Sequence, residues 1–127
     1  MVNRESFKRP HEGLLVWQDA MELVETVYAF SRPFPDTERF GLTSQVRRAA
    51  VSIPSNIAEG AARRSSPEYR RFLSMARGSL SELDTQCQIA VRLGYAELSP
   101  ALNDLINRVF ARLTALLNAL NQPKGAS

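Results

Sequence analysis

Fourteen of the 16 basic residues in this 127-residue chain are arginines, and eight of them fall in one stretch: Arg39, Arg47, Arg48, Arg63, Arg64, Arg70, Arg71 and Arg77. Only Glu59 and Glu68 oppose them there, so positions 39–77 carry +6 and the rest of the chain −3, summing to the net +3. A planar guanidinium suits phosphate and carboxylate better than the point charge of lysine. The first chemistry on offer is therefore recognition of an anion. Arg63-Arg64 and Arg70-Arg71 flank a turn between two helical patterns, so any hairpin gathers them at one end of the fold. They read either as a solvated loop or as phosphate contacts, and each neutralised phosphate would steepen the salt dependence of binding.

A second constellation is polar. At 100° per residue, Arg48, Ser52, Ser55, Asn56, Glu59 and Arg63 fall within about 100° of one another. Arg71, Gly78 and Glu82 share a side of the next helix. One reading is a network that ties helices together or lines a subunit contact. In it Glu59 and Glu82 neutralise Arg48 and Arg63, and Asn56 bonds backbone freed near Pro54. The other is a concave polar site for nucleic acid or another acidic partner. Glu59 and Glu82 count against a surface built purely for phosphate.

Catalytic residue types are sparse. His11 is the only histidine and precedes the first helical pattern with no second ligand near it, so it reads as a surface residue. No Glu-x-x-His pair of a di-metal bundle is present. Cys87 lies on an apolar stripe without a helical histidine partner, as a small core residue would. Trp17 could stack on a base, but its position is one of packing. No acid–base pair, nucleophile or metal set emerges, so neither enzyme, metal nor cofactor is expected.

The elements that must carry these residues are four helices. The first covers about 14–31, with Trp17, Ala20, Met21, Val24, Val27 and Tyr28 as its stripe. Pro33 and Pro35 close it, and Phe34 and Phe40 in the following loop are expected to cover the end of the bundle. The second covers 42–62 through Leu42, Val46, Ala49, Ala50, Ile53, Ile57 and Ala61. Pro54 sits inside it, and since the periodicity continues across it, the expectation is one helix kinked there, with Ser52 and Ser55 available to freed backbone groups. The third covers 67–94. Ser65-Ser66-Pro67-Glu68 caps it, Tyr69, Leu73, Ala76, Leu80, Leu83, Cys87 and Ala90 form its stripe, and Gly94 stops it. Phe72, Met75, Ile89 and Leu93 lie off that stripe, which suits either a deeply buried helix or a face that meets another subunit. The fourth covers 100–120, from Ser99-Pro100 through Leu102, Leu105, Ile106, Val109, Leu113, Leu116, Leu117 and Leu120. Residues 1–10 and 121–127 are expected to be flexible tails.

No stretch alternates at period two. The fold expected is all-α, an antiparallel up-down-up-down four-helix bundle forming one domain over 1–127. The chain is long enough to bury a core without staples. No apolar run approaches a membrane span and Met1–Pro10 lacks a signal-peptide core, so the expected setting is the cytoplasm, consistent with a single cysteine.

The segment Arg47-Arg48-Ala49-Ala50-Val51-Ser52-Ile53-Pro54-Ser55-Asn56-Ile57-Ala58-Glu59-Gly60 resembles the signature of a bacterial family, the four-helix-bundle proteins associated with intervening sequences in 23S ribosomal RNA genes. Leu15-Val16-Trp17-Gln18-Asp19-Ala20 resembles its opening motif, and Phe40-Gly41-Leu42-Thr43-Ser44-Gln45 the entry to its second helix. The run from Arg71 to Leu83 and Leu93-Gly94-Tyr95 resemble its third helix and stop. The resemblance covers about 14–95; the fourth helix is generic. It implies a small cytoplasmic bundle that assembles as a ring-shaped homopentamer. It also implies kinship with the accessory variability determinant proteins of diversity-generating retroelements, basic pentamers that bind nucleic acid and a reverse transcriptase. No enzymatic activity is established for the family, and RNA binding is the usual suggestion.

Two functions are therefore expected. One is a homo-oligomer that binds nucleic acid, RNA before DNA, through Arg47, Arg48, Arg63, Arg64, Arg70, Arg71 and Arg77, with Ser52, Asn56, Glu59 and Glu82 as polar network or interface. The other is a scaffold or accessory subunit whose ring face binds a partner protein, such as a reverse transcriptase. A ring of five would multiply the basic end into a collective field.

Overall fold

The computed structural model of the chain describes residues 9–121. Four α-helices account for most of them: α1 Leu15–Ser31, α2 Leu42–Ala61, α3 Ser66–Arg92 and α4 Pro100–Leu120, with a single 3₁₀ turn at Asp36–Glu38. Among the described residues there is no strand, and no helix is long and apolar enough to cross a membrane. The expected tails fall almost wholly outside the described residues.

Local signals start and stop these helices. Ser65 Oγ accepts from the N–H of Glu68 (3.3 Å) and Ser99 Oγ from that of Leu102 (3.2 Å), each with a proline in the first turn. α3 ends in a Schellman motif. Gly94 takes φ +76, its N–H bonds the carbonyl of Val91, and the N–H of Tyr95 reaches back to Ala90 at 2.9 Å. α2 runs unbroken through Pro54. The carbonyl that proline leaves without its donor is that of Ala50; Ser52 and Ser55 instead donate to Ala49 and Val51 on either side of it, at 2.9 and 2.8 Å. Asn56 Nδ2 donates to the carbonyl of Ser52 at 2.8 Å.

Each helix packs on two neighbours, α1 on α2 and α4, α3 on α2 and α4, with no close approach across either diagonal. Side-chain bridges fix the antiparallel sense. Arg47 Nε donates to Ser31 Oγ (2.9 Å), bringing the start of α2 to the end of α1. Arg70 Nη1 donates to the carbonyl of Leu120 (2.9 Å), bringing the start of α3 to the end of α4. Asp19 on α1 meets Arg108 and Arg112 of α4 at 3.5 and 2.7 Å.

The core confirms the stripes of α2, α3 and α4: Val46, Ala50, Ile53, Ile57, Leu73, Leu80, Leu83, Val109 and Leu113 are fully buried. α1 departs from expectation. Ala20 and Val27 are buried as expected, but so are Val16, Leu23 and Ser31, while Met21 and Tyr28 are exposed. The helix is apolar over a wide arc, and only its seating between α2 and α4 decides which part of the arc turns inward. Phe72, expected off the main stripe of α3, is buried, whereas Met75, Ile89 and Leu93 remain exposed.

At the end where α1 finishes and α2 begins, Phe30, Phe34 and Tyr95 make a chain of ring contacts at 5.7 and 5.9 Å. Phe34 thus seals the bundle as expected. Phe40 does not: it is 88 % exposed. The reason lies in Glu38, whose Oε1 accepts from the N–H of Leu42 (3.0 Å) and Oε2 from the hydroxyl of Tyr95 (2.9 Å). Its carboxylate caps the positive end of α2, and those two bonds hold its pKa below the ordinary carboxylate value. A side chain at Gly41 would collide with that carboxylate, its Cβ falling on Glu38 Oε1. The turn is thereby pinned inward at Glu38, and Arg39 and Phe40 stand out from it.

Candidate nucleic-acid interface

The arginines expected to gather at the α2–α3 end are divided by the fold. Arg63 and Arg71 lie over the ring of Phe72, at 4.7 and 5.0 Å from its centroid, and Arg71 also meets Glu68 at 3.8 Å. Both guanidiniums thereby cover an aromatic ring that would otherwise face water. Arg70 is spent on the carbonyl of Leu120, where it satisfies one of the acceptors left open at a helix end. Arg64 stands exposed in the short connection 62–65. Arg77 lines a separate shallow pocket of about 380 Å³ between α3 and α4, beside Gly78 and Phe110.

The polar stripe does not form the expected cross-helix network. Ser52 and Asn56 bond carbonyls of their own helix. Glu82 Oε1 accepts from Gln86 Nε2 at 3.0 Å, also within one helix. Among the described residues no ion pair joins Glu59 or Glu82 to Arg48 or Arg63. Bonds to carbonyls three and four residues back are satisfied before any helix packs, which is why Ser52 and Asn56 turn along α2; Gln86 Nε2, besides Glu82, also approaches Gln45 Oε1 of α2 at 3.5 Å.

The fold instead assembles an open groove of about 660 Å³ where the end of α1, the 36–41 turn and the first half of α2 meet. Three arginines line it, Arg39, Arg47 and Arg48, together with Thr43, Ser44 and Ser52 and the apolar Tyr28, Phe40 and Val51. No carboxylate lines it. Glu38, adjacent in sequence, is turned away onto Leu42 and Tyr95. Arg47 rests over Tyr28, 4.6 Å from the ring centroid, and gives its Nε–H to Ser31. Its terminal nitrogens have no acceptor among the described residues. Arg48 is exposed and likewise without an ion-pair or hydrogen-bond partner among them. Arg39 lies 5.2 Å from the centroid of Phe40.

Arg47, Arg48 and Ser52 were legible in the sequence as candidates; Arg39, Tyr28, Phe40, Thr43 and Ser44 were not. The available signal was a phenylalanine beside an arginine, in a loop, with no helical period to assign it to a core.

Cys87 is buried, and burial, with Asp84 nearby, pushes its thiol up to about 12, so it stays protonated at neutral pH. His11 packs against Trp17, ring centroids 4.8 Å apart.

No curated protein matches the chain. A family model does: that of the 23S rRNA-intervening sequence protein matches residues 12–119, all four helices included. The match extends the resemblance seen in the first three helices through α4, and the chain belongs to the 23S rRNA-intervening sequence protein family.

Proposed function

We propose that this protein is a non-enzymatic, cytoplasmic, nucleic-acid-binding homo-oligomer that prefers RNA and makes its main contact through the Arg39–Arg47–Arg48 groove. One observation carries the reading: three guanidiniums converge on an open groove that no carboxylate lines. Opposed charge would otherwise pair with them, as Glu68 pairs with Arg71 in the first turns of α3. Arg64, exposed in the connection 62–65, adds a further cation beyond the end of α2.

Self-association is supported by the outer face of α3. Met75, Ile89 and Leu93 are exposed and lie within about 40° of one another at 100° per residue. Covering them with a second copy would remove apolar surface from water, and five copies in a ring is the arrangement we propose.

The test is a salt titration of binding to a structured RNA. With three arginine–phosphate contacts the slope of log affinity against log salt is about −2 to −3 per protomer. Arg39→Ala with Arg48→Ala should weaken binding and flatten the slope by roughly 1.5, while Arg70→Ala leaves both unchanged. Binding with no salt slope, or a slope indifferent to Arg39 and Arg48, refutes the reading and favours a protein partner instead. Native mass spectrometry reads the subunit number.

A further inference from the structure

We propose that the Arg39–Arg48 groove takes an unpaired nucleic-acid strand, with one base stacked on Phe40, in preference to a duplex. This deepens the nucleic-acid reading and rests on it.

Phosphate contacts alone do not account for the groove. A surface that met only a sugar–phosphate backbone would need arginines and hydroxyls, yet the most exposed large apolar side chain among the described residues, Phe40, stands at this groove with 88 % of its surface in solvent. Its exposure is imposed rather than accidental. Glu38 and Gly41 pin the turn on either side, through the bonds to Leu42 and Tyr95 and the absence of a Cβ that would strike Glu38. The ring is thus held out on a braced turn, not on a loose loop. Arg39 approaches it at 5.2 Å, which leaves the greater part of the ring for a ligand.

In a duplex the base faces are already stacked on one another, and a protruding ring finds only sugars and phosphates. In an unpaired strand each base presents a free π-face, which stacks on any aromatic ring with little regard to its identity. Val51 and Tyr28, both partly exposed, continue the apolar floor beside Phe40. Arg47 and Arg48 would then meet the phosphates that flank the stacked base. The combination of a charged channel with an aromatic platform is the physical requirement for holding a single strand. A protein segment could cover Phe40 as well, but it would have to be acidic to answer three guanidiniums that meet no carboxylate in the groove, and an unpaired strand supplies both the charge and the planar partner at every nucleotide.

The experiment compares a 12-nucleotide single strand with the blunt duplex of the same sequence, by fluorescence anisotropy, on the full chain. The wild type should hold the single strand at least tenfold more tightly. Phe40→Ala should weaken the single strand by roughly 5- to 150-fold, the range that loss of one stacked base produces, and leave the duplex unchanged. Phe40→Trp should restore the preference, and its added fluorescence should be quenched on binding. Arg48→Ala should weaken both ligands together. Equal binding of the two forms, with Phe40→Ala indifferent, overturns the single-strand inference while the nucleic-acid function stands. If neither form binds the wild type, the function itself falls. If Phe40→Ala lowers the subunit number in native mass spectrometry and leaves the strand preference intact, Phe40 is a subunit contact and the inference is overturned.

Discussion

Replacing Gly60 with alanine probes how closely α2 and α3 can approach. Gly60 is buried in the last turn of α2, and a Cβ placed there would lie 2.8 Å from Phe72 Cβ, 3.0 Å from Tyr69 Cδ1 and 3.3 Å from the Tyr69 carbonyl oxygen. Phe72 Cβ and the Tyr69 carbonyl belong to the α3 backbone or are fixed to it, so no rotamer change relieves the contact and the helices must part. Two effects oppose each other. Alanine is favoured over glycine within a helix by about 1 kcal/mol. Overpacking costs about 1–3 kcal/mol, and a contact inside 3 Å against a rigid atom belongs in the upper half of that range. The net expectation is a loss of about 1–2 kcal/mol, or roughly 4–8 °C in Tm for a chain of this size. Gly78 provides the control. It lies exposed in α3 and an added Cβ there meets nothing within 4 Å, so Gly78→Ala should gain about 0.5–1 kcal/mol through the helix preference alone. Urea unfolding followed by circular dichroism measures both. A Gly60→Ala protein as stable as the wild type refutes the close-packing argument. Were Gly78→Ala to lose stability, and the loss to fade on dilution, another copy of the chain would be resting on that face.

Arg70 and Arg64 are close in sequence and should part in behaviour: Arg70→Ala should lower stability by about 0.5–1.5 kcal/mol through its lost bond to Leu120, while Arg64→Ala stays within about 0.5 kcal/mol of wild type. Equal effects in thermal melts would show the Leu120 bond to be inconsequential. Asp19→Ala should cost about 1 kcal/mol, because it leaves Arg112 without the carboxylate it meets at 2.7 Å, and Arg108→Ala should cost less than Arg112→Ala since its contact is 3.5 Å. Glu38 titrates below the ordinary carboxylate value, first through the Leu42 N–H and then through the Tyr95 hydroxyl. Its stabilising contribution is therefore complete above the unfolded carboxylate pKa and lost as pH falls through the lower folded one. The Tm gap between wild type and Glu38→Gln should be widest at neutral pH and close in acid; a gap constant from neutral pH down to acid would refute it.

Much of the fold was written locally. Ser65 and Ser99 capped where their serine–proline pairs foretold, and Gly94 stopped α3 because the left-handed turn there suits a residue without a side chain. The stripes of α2, α3 and α4 were legible because a run of leucine, isoleucine and alanine at three- and four-residue spacing leaves one way to face the core. α1 is only partly legible because its apolar arc is wider than the face that packing can cover. Ala20 and Val27 are core as their spacing predicts, but Val16 and Leu23 join them, and Met21 and Tyr28 turn out, only once α2 and α4 press on the helix.

The candidate site divides in the same way. The order of residues alone determined that this protein concentrates arginine in its middle third, because the charge of a segment is a sum that needs no geometry. Which arginines remain available was a tertiary decision. Arg70 is taken by a carbonyl 50 residues away, Arg63 and Arg71 by Phe72, and Arg47 is braced by Ser31 and Tyr28 so that it faces a groove. Phe40 opens the entry to α2, but nothing in its neighbours decides which way its ring points; the Glu38 carboxylate, tied across 57 residues to Tyr95, turns it outward. Charge and helical period are properties of short segments, and the sequence carries them whole. The direction of a loop side chain depends on partners brought from the far end of the chain, and those exist only after the bundle has closed.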